Sequence, residues 1–215
     1  AALKSGICEA IDIVALHPYV QPAAPDNEDG IFKRCETFFD DIRQYNTDLW
    51  ISEVGWSTCE RYVTQAEAAS SIVKTKIVNK AENHFDKIFI YDFQNDGNNV
   101  NESEHMYGLI ECWRENSSPF AAKPAYAALS AAEYILKDFV HEDTECDGKI
   151  KQYHFKKDGK RLTALWSIKG DEVLHLSDMP ETILCYDIFG NEKELKSADG
   201  EYSIELNSEV IYLKY

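Results

Sequence analysis

The 215-residue sequence predicts an α/β unit built on a parallel sheet, followed by a small antiparallel β-sandwich. Three observations carry that prediction. Between residues 11 and 138, short apolar runs take turns with stretches of helical period, the pattern of parallel strands joined by helical crossovers. The apolar runs show little internal alternation, as expected of strands buried on both faces. Beyond residue 138 the helical period stops, and strand-like segments recur at short spacing between turn residues. The expected boundaries are therefore 1–138 for the first domain and 139–215 for the second.

The elements follow in order. "IDIVALHPYV" (11–20) is an apolar run that meets a loop at His17-Pro18. "QPAAPDNEDG" (21–30) is a polar Pro/Gly loop. Residues 31–46 place Ile31, Cys35, Phe38, Phe39, Ile42 and Tyr45 at helical spacing. "LWISEVGWST" (49–58) begins as a second buried strand and breaks at Gly55. Thr64 and Glu67 are spaced as a capping box, ahead of an alanine-rich helix running to about residue 84. "KIFIYDF" (87–93) is the third strand, followed by a long polar loop and a helix over 119–138 with Pro124 near its start. In the second domain, residues 148–168 read as a hairpin around Asp158-Gly159. "ETILCYDIFGNEKEL" (181–195) turns at Phe-Gly-Asn, and "GEYSIELNSEVIYLKY" closes the chain. Trp166 and Tyr153 read as core of this domain, with a carbohydrate-binding role as the alternative.

Composition limits function. Lys and Arg number 22 against 38 Asp and Glu, a formal charge of −16, and nothing resembles a basic patch. Nucleic acid and anionic membranes are therefore not expected as partners. Strongly anionic polymers are disfavoured too, although a local site can override net charge. No apolar run approaches the roughly 20 residues that cross a bilayer. The six cysteines (Cys8, Cys35, Cys59, Cys112, Cys146, Cys185) contain no C-x-x-C pair, which argues against a zinc cluster. Disulfides and buried thiols both remain open readings. No metal and no cofactor is expected.

Glu53 is the one acidic side chain within the second apolar run, where an ionised carboxylate needs a partner or a task. Pairing with a nearby Arg or Lys at the strand edge is the structural alternative. Parallel α/β folds gather ligand sites at the carboxyl ends of their strands. Here those ends supply His17, Pro18 and Tyr19, then Glu53, Gly55 and Trp56, then residues 91–96, Tyr-Asp-Phe-Gln-Asn-Asp. A carboxylate, an imidazole, amides and aromatic faces together suit a sugar, whose hydroxyls want polar partners and whose C–H faces stack on rings.

"DIVALHPY", "WISEVGWS", "YDFQNDG", "ESEHMYGLI" and "KPAYAAL" stand in the order found in clan A glycoside hydrolases, which the whole chain resembles. The resemblance implies the C-terminal half of a (β/α)8 TIM barrel, with strands six, seven and eight, followed by the β-sandwich that many members carry. It places Glu53 on the catalytic nucleophile of a retaining O-glycosidase. His17 and Tyr19 match strand-six residues that reach the sugar or the nucleophile, though a His before Pro can also cap a loop. Trp56 either lines the cleft or packs beneath the rim. Tyr91 or Phe93 stands near the position of a sugar-stacking Trp, which this sequence lacks. Asn95 and Asp96 could bind hydroxyls, with a turn at Gly97 as the alternative. Glu104, His105 and Tyr107 belong to a loop read as surface, or else as a wall of the cleft.

In the family the acid/base Glu follows an Asn at the end of strand four. The Asn-Glu pairs present here, Asn27-Glu28 and Asn101-Glu102, fall in loops, so the acid/base is expected upstream of Ala1. Three strands of eight cannot close a barrel. The strand at Ile11–Leu16 is then expected to expose an edge open to self-association. The leading expectation is thus a fragment of a retaining glycosidase acting on a β-linked carbohydrate, inactive alone. A non-catalytic carbohydrate-binding or scaffold module and a purely structural module are the competing readings.

Overall fold

A computed structural model describes residues 6–113 and 120–215. The chain packs as two compact units, one drawn from Ala1–Thr75 and Glu82–Tyr126, the other from Lys76–Ala81 and Ala127–Tyr215. The division runs within the second and third helices, α2 (Gln65–Glu82) and α3 (Pro124–Ile135).

The first unit holds a three-stranded parallel sheet in the order β1 (Ile13–Leu16), β2 (Asp48–Val54), β3 (Lys87–Ile90). Crossovers by α1 (Ile31–Arg43) and α2 join these strands, as the alternating pattern predicts. Ile31, Cys35, Phe39 and Ile42 form the buried stripe of α1. The capping box forms in both directions: Thr64 N–H donates to Glu67 Oε2 (2.7 Å), and Glu67 N–H donates to Thr64 Oγ1 (3.2 Å).

Three expectations change. The outer strands are shorter than their apolar runs, β3 ending at Ile90 rather than at residue 93. Only β2 is largely buried, while β1 and β3 alternate exposed and half-buried residues, leaving Ile13 and Phe89 exposed. With three strands, one face of the outer strands meets no packing layer among the described residues. The helix expected over 119–138 is α3, which starts at Pro124 because proline suits a first helical turn. Pro119 lies outside the described residues.

The second unit is a β-sandwich. One six-stranded antiparallel sheet has the order β4 (Val140–Cys146), β5 (Ile150–Lys157), β6 (Lys160–Ser167), β11 (Ile211–Lys214), β8 (Thr182–Tyr186), β9 (Glu192–Lys196). A pair of strands, β7 (Glu172–Leu176) and β10 (Tyr202–Leu206), forms the other layer. Ile150, Leu165, Ile183, Tyr202, Ile204, Leu206 and Leu213 make the core from strands of both layers. Tyr153 and Trp166 are buried and stacked, their ring centroids 5.4 Å apart. The hairpin between β5 and β6 turns at Asp158-Gly159, both with positive φ, as a two-residue turn of this kind requires. The six cysteines are free thiols, four of them buried. Among the described residues, no helix is long and apolar enough to cross a membrane.

Truncating a core side chain of the sandwich tests this packing. Leu165→Ala removes a fully buried side chain and is expected to destabilise the second unit by about 2–5 kcal/mol. Urea denaturation of the full chain followed by tryptophan fluorescence reads it; a loss below about 1 kcal/mol would contradict a close-packed core.

Candidate active site

Parallel pairing sets the carboxyl ends of β1, β2 and β3 at one edge of the sheet, so the residues that follow them meet. Glu53 is the penultimate residue of β2 and is half-buried. The ladder between β2 and β3 is irregular just here. From Ile51 to Val54 the chain takes three steps while its partner takes two, from Ile88 to Ile90. One extra residue on β2 is a bulge, a device that re-aims a side chain near the end of a strand.

Two groups from the segment after β1 engage the Glu53 carboxylate. The Tyr19 hydroxyl donates to Oε2 at 3.2 Å, and His17 Nδ1 lies 3.5 Å from the same oxygen. The other ring nitrogen of His17 is 2.9 Å from Ser52 Oγ, which fixes the imidazole on two sides. Burial first, and then the charge and hydrogen bond of Glu53, push the Tyr19 phenol far above its ordinary pKa. Tyr19 therefore stays a neutral donor at any working pH.

Three tyrosine rings enclose this carboxylate's neighbourhood. Tyr19, Tyr91 and Tyr107 meet edge to face, with centroids 6.3 Å (19–91), 5.7 Å (19–107) and 5.3 Å (91–107) apart. Burial and nearby carboxylates raise both Tyr91 and Tyr107 to about 12. Tyr107 is anchored by Gln21, whose Nε2 donates to its hydroxyl (2.6 Å) while its Oε1 accepts from Ser57 N–H (2.8 Å). Gly55 allows the main chains to converge here: a Cβ at this position would overlap the Tyr91 carbonyl oxygen.

The structure distributes the expected binding residues unevenly. His17, Tyr19, Tyr91 and Glu53 come together. Phe93 follows β3 but points to solvent, 63% exposed. Trp56 is 1% exposed and spends its indole N–H on the Ala23 carbonyl (2.9 Å), so it packs beneath the rim. Asn95, expected to reach a hydroxyl, is 2% exposed, and protein groups occupy its amide. Its Nδ2 donates to Glu111, and its Oδ1 accepts from Gly108 N–H and from Lys123 Nζ (3.1 Å). Tyr107 and Gln21 are the participants least visible in sequence; the cue for Tyr107 is its place in "ESEHMYGLI", and for Gln21 there is none. Glu28 and Glu102 are exposed in loops.

Lys123 is itself buried, and its ammonium also donates to Thr58 Oγ1 (3.0 Å) and the Met106 carbonyl (2.9 Å). It thereby ties together the segments after β2 and β3 and the turn Glu104–Met106. Asp92, next to Tyr91, keeps one carboxyl oxygen buried without a hydrogen bond. Burial, followed by the charge of Asp96, raises its pKa to about 6.

In overall fold the chain is similar to a family 39 glycoside hydrolase from the gut symbiont Bacteroides cellulosilyticus WH2, with a TM-score of 0.83 and 24% identity. That likeness covers 99% of this chain and 46% of the other. A β-porphyranase of glycoside hydrolase family 86 from Bacteroides plebeius matches with a TM-score of 0.59 and 14% identity, over 94% of this chain and 41% of that one. A family 30 endoxylanase from Clostridium papyrosolvens C71 matches with a TM-score of 0.53 and 10% identity, over 96% and 49% respectively. The chain thus spans about half the length of the solved structures it matches. No family model matches it, and neither does any curated protein sequence. The fold is a half-barrel with a β domain, as found in glycoside hydrolases.

Two substitutions test this network. Lys123→Met removes three hydrogen bonds made by one ammonium from acceptors that each keep another donor, so the expected loss is that of hydrogen bonds to a charged group, about 1.5–3 kcal/mol; a variant as stable as the parent would refute the clamp. For Asp92, the folded-state pKa lies above the ordinary carboxylate value, so its contribution to stability is full below about pH 4 and is lost as pH rises through about 6. Asp92→Asn lacks that loss. Its stability relative to the parent is therefore expected to rise across this window in urea titrations, and a pH-independent difference would contradict the assignment.

Proposed function

We propose that this chain forms the nucleophile-bearing part of a retaining glycoside hydrolase that acts on a β-linked carbohydrate. The observation that carries this reading is the Tyr19 hydroxyl bound to the Glu53 carboxylate at the carboxyl edge of a parallel sheet. The likeness in fold to a family 39 glycoside hydrolase supports it, and the β-porphyranase among the neighbours favours a β-linked substrate.

Glu53 is the nucleophile. A lone pair of its free carboxylate oxygen forms the bond to the anomeric carbon as the glycosidic C–O bond breaks and its electrons pass to the leaving oxygen. Tyr19 and His17 hold Oε2 and fix the direction from which the other oxygen attacks. Because Tyr19 does not ionise in the working range, it keeps donating while the carboxylate is charged and releases it as the ester forms. Tyr91 offers the ring beside the sugar and Phe93 an outer ring, while His17, expected to contact a hydroxyl, has both ring nitrogens turned to Glu53 and Ser52 and acts by positioning the nucleophile. Trp56 and Asn95 support the rim from beneath.

The leaving oxygen needs a proton from a second carboxyl group about 5–5.5 Å from the nucleophile. Glu28 and Glu102, the glutamates that follow an Asn, stand in exposed loops, and on this reading the acid and the strands that complete the barrel are supplied from outside these 215 residues. The chain alone is then a poor catalyst, since general acid catalysis is worth about 10²–10⁴-fold.

In the protein carrying a complete barrel, Glu53→Gln is expected to lower kcat on an aryl β-glycoside by orders of magnitude while leaving the fold intact. Tyr19→Phe removes one hydrogen bond to a charged group and should cost about 10–100-fold in kcat. Parental turnover in Glu53→Gln would end the nucleophile assignment. Robust turnover by the purified 215-residue chain would show that it holds its own acid.

A further inference from the structure

The second unit carries a cavity of about 230 Å³ lined by three lysines, Lys137, Lys157 and Lys214, and by the rings of Tyr134, Phe139 and Tyr186. Four separate segments build it. α3 ends at Ile135, and Asp138, in the left-handed region at φ 63°, turns the chain towards β4, which places Tyr134, Lys137 and Phe139 around one mouth. Lys157, Tyr186 and Lys214 are the last residues of β5, β8 and β11. The volume is below the roughly 300–1,000 Å³ of pockets for drug-sized ligands, so it suits a single ring rather than a chain.

The charges here are not balanced. Glu133 is held by Lys76 at 2.6 Å, and Asp138 by Lys157 at 2.9 Å. Glu192 receives the Tyr186 hydroxyl at 2.6 Å, which fixes that ring. Among the described residues the ammonium groups of Lys137 and Lys214 have no hydrogen bond and no carboxylate within 4.0 Å, and Asp138, which Lys137 also attracts, is already bound to Lys157, on a chain whose formal charge is −16. Tyr134 is 82% exposed, more than any other large apolar or aromatic side chain among the described residues. An aromatic face held in water beside three lysines, of which Lys157 and Lys137 share the one carboxylate of Asp138, combines a stacking surface with an anion trap.

We propose that this cavity binds one anionic sugar residue, a ring bearing a carboxylate or a sulfate, which stacks on Tyr134 while its anion is taken by Lys137 and Lys214. The choice of a saccharide over another anion rests on the glycosidase reading; the site itself lies in the β unit and does not involve Glu53. Tethering of substrate by this unit would raise its concentration near the site of cleavage.

Calorimetric titration of the full 215-residue chain tests it, with trigalacturonate, a sulfated galactose trisaccharide and neutral xylotriose as probes. Binding of the first or second alone identifies carboxylate or sulfate as the recognised group, and binding of both shows that either anion serves. The Lys137→Gln/Lys214→Gln double variant and Tyr134→Ala should each weaken binding by about tenfold or more, while Glu53→Gln leaves it unchanged. Four results would each overturn the proposal: no binding of either anionic trisaccharide, equal binding of xylotriose, binding insensitive to these residues, or inorganic sulfate or AMP binding as tightly as the saccharides. Undiminished turnover in Glu53→Gln alongside intact pocket binding would count against the glycosidase reading and not against this site.

Discussion

The buried ammonium of Lys123 is the constraint on which the rim of the sheet depends. A cation withdrawn from water must be compensated by acceptors at good geometry. It finds them on Asn95, Thr58 and Met106, in three segments outside the named strands that a few backbone hydrogen bonds also join, among them Thr58 N–H to the Met106 carbonyl and Asn95 N–H to the Ile110 carbonyl. Asn95 passes the order on, since its Oδ1 also accepts from Gly108 N–H and its Nδ2 donates to Glu111. Close approach of these main chains is permitted only because residue 108 has no side chain, where a Cβ would overlap the Asn95 amide nitrogen.

With those segments held, the edge-to-face cluster of Tyr19, Tyr91 and Tyr107 follows. Tyr107 is placed by the turn that Lys123 clamps, and Gln21 joins it to the segment after β1. Tyr19 can then reach Glu53 from a fixed direction, and the bulge in β2 turns Glu53 towards it. Polar and aromatic contacts, rather than regular secondary structure, thus set the chemistry of this edge. That is a consequence of placing function on loops carried by a rigid sheet.

The two units solve charge differently. At the rim of the first, Asp96 and Glu104 crowd near Tyr91 and Asp92, and burial first, then these charges, raises the pKa of both Tyr91 and Asp92. In the second, lysines at the ends of α3 and of two strands outnumber the carboxylates that answer them, which leaves cationic side chains beside exposed aromatic surface. Net charge alone describes neither place. A charge of −16 spread over 215 residues still permits a local cationic cavity, because interactions beyond about a Debye length of roughly 8–10 Å are screened.

The sequence by itself determines the order of strands and helices, the capping box at Thr64, the hairpin at Asp158-Gly159 and the place of Glu53 at a strand's carboxyl end. These depend on local periodicity, turn chemistry and neighbours a few residues away. It also places His17, Tyr19 and Tyr91 at the same edge, since parallel strands with helical crossovers must align their ends. Tertiary structure alone decides which side chains near those ends face the rim. Asn95 turns inward to Lys123, Trp56 sinks beneath the surface, Phe93 turns out to water, and Tyr107 joins the cluster through a residue 86 positions away, Gln21. Beyond the last ladder hydrogen bond, a side chain's direction follows from whichever distant donor or acceptor satisfies its backbone and its burial. That pairing is absent from any local pattern.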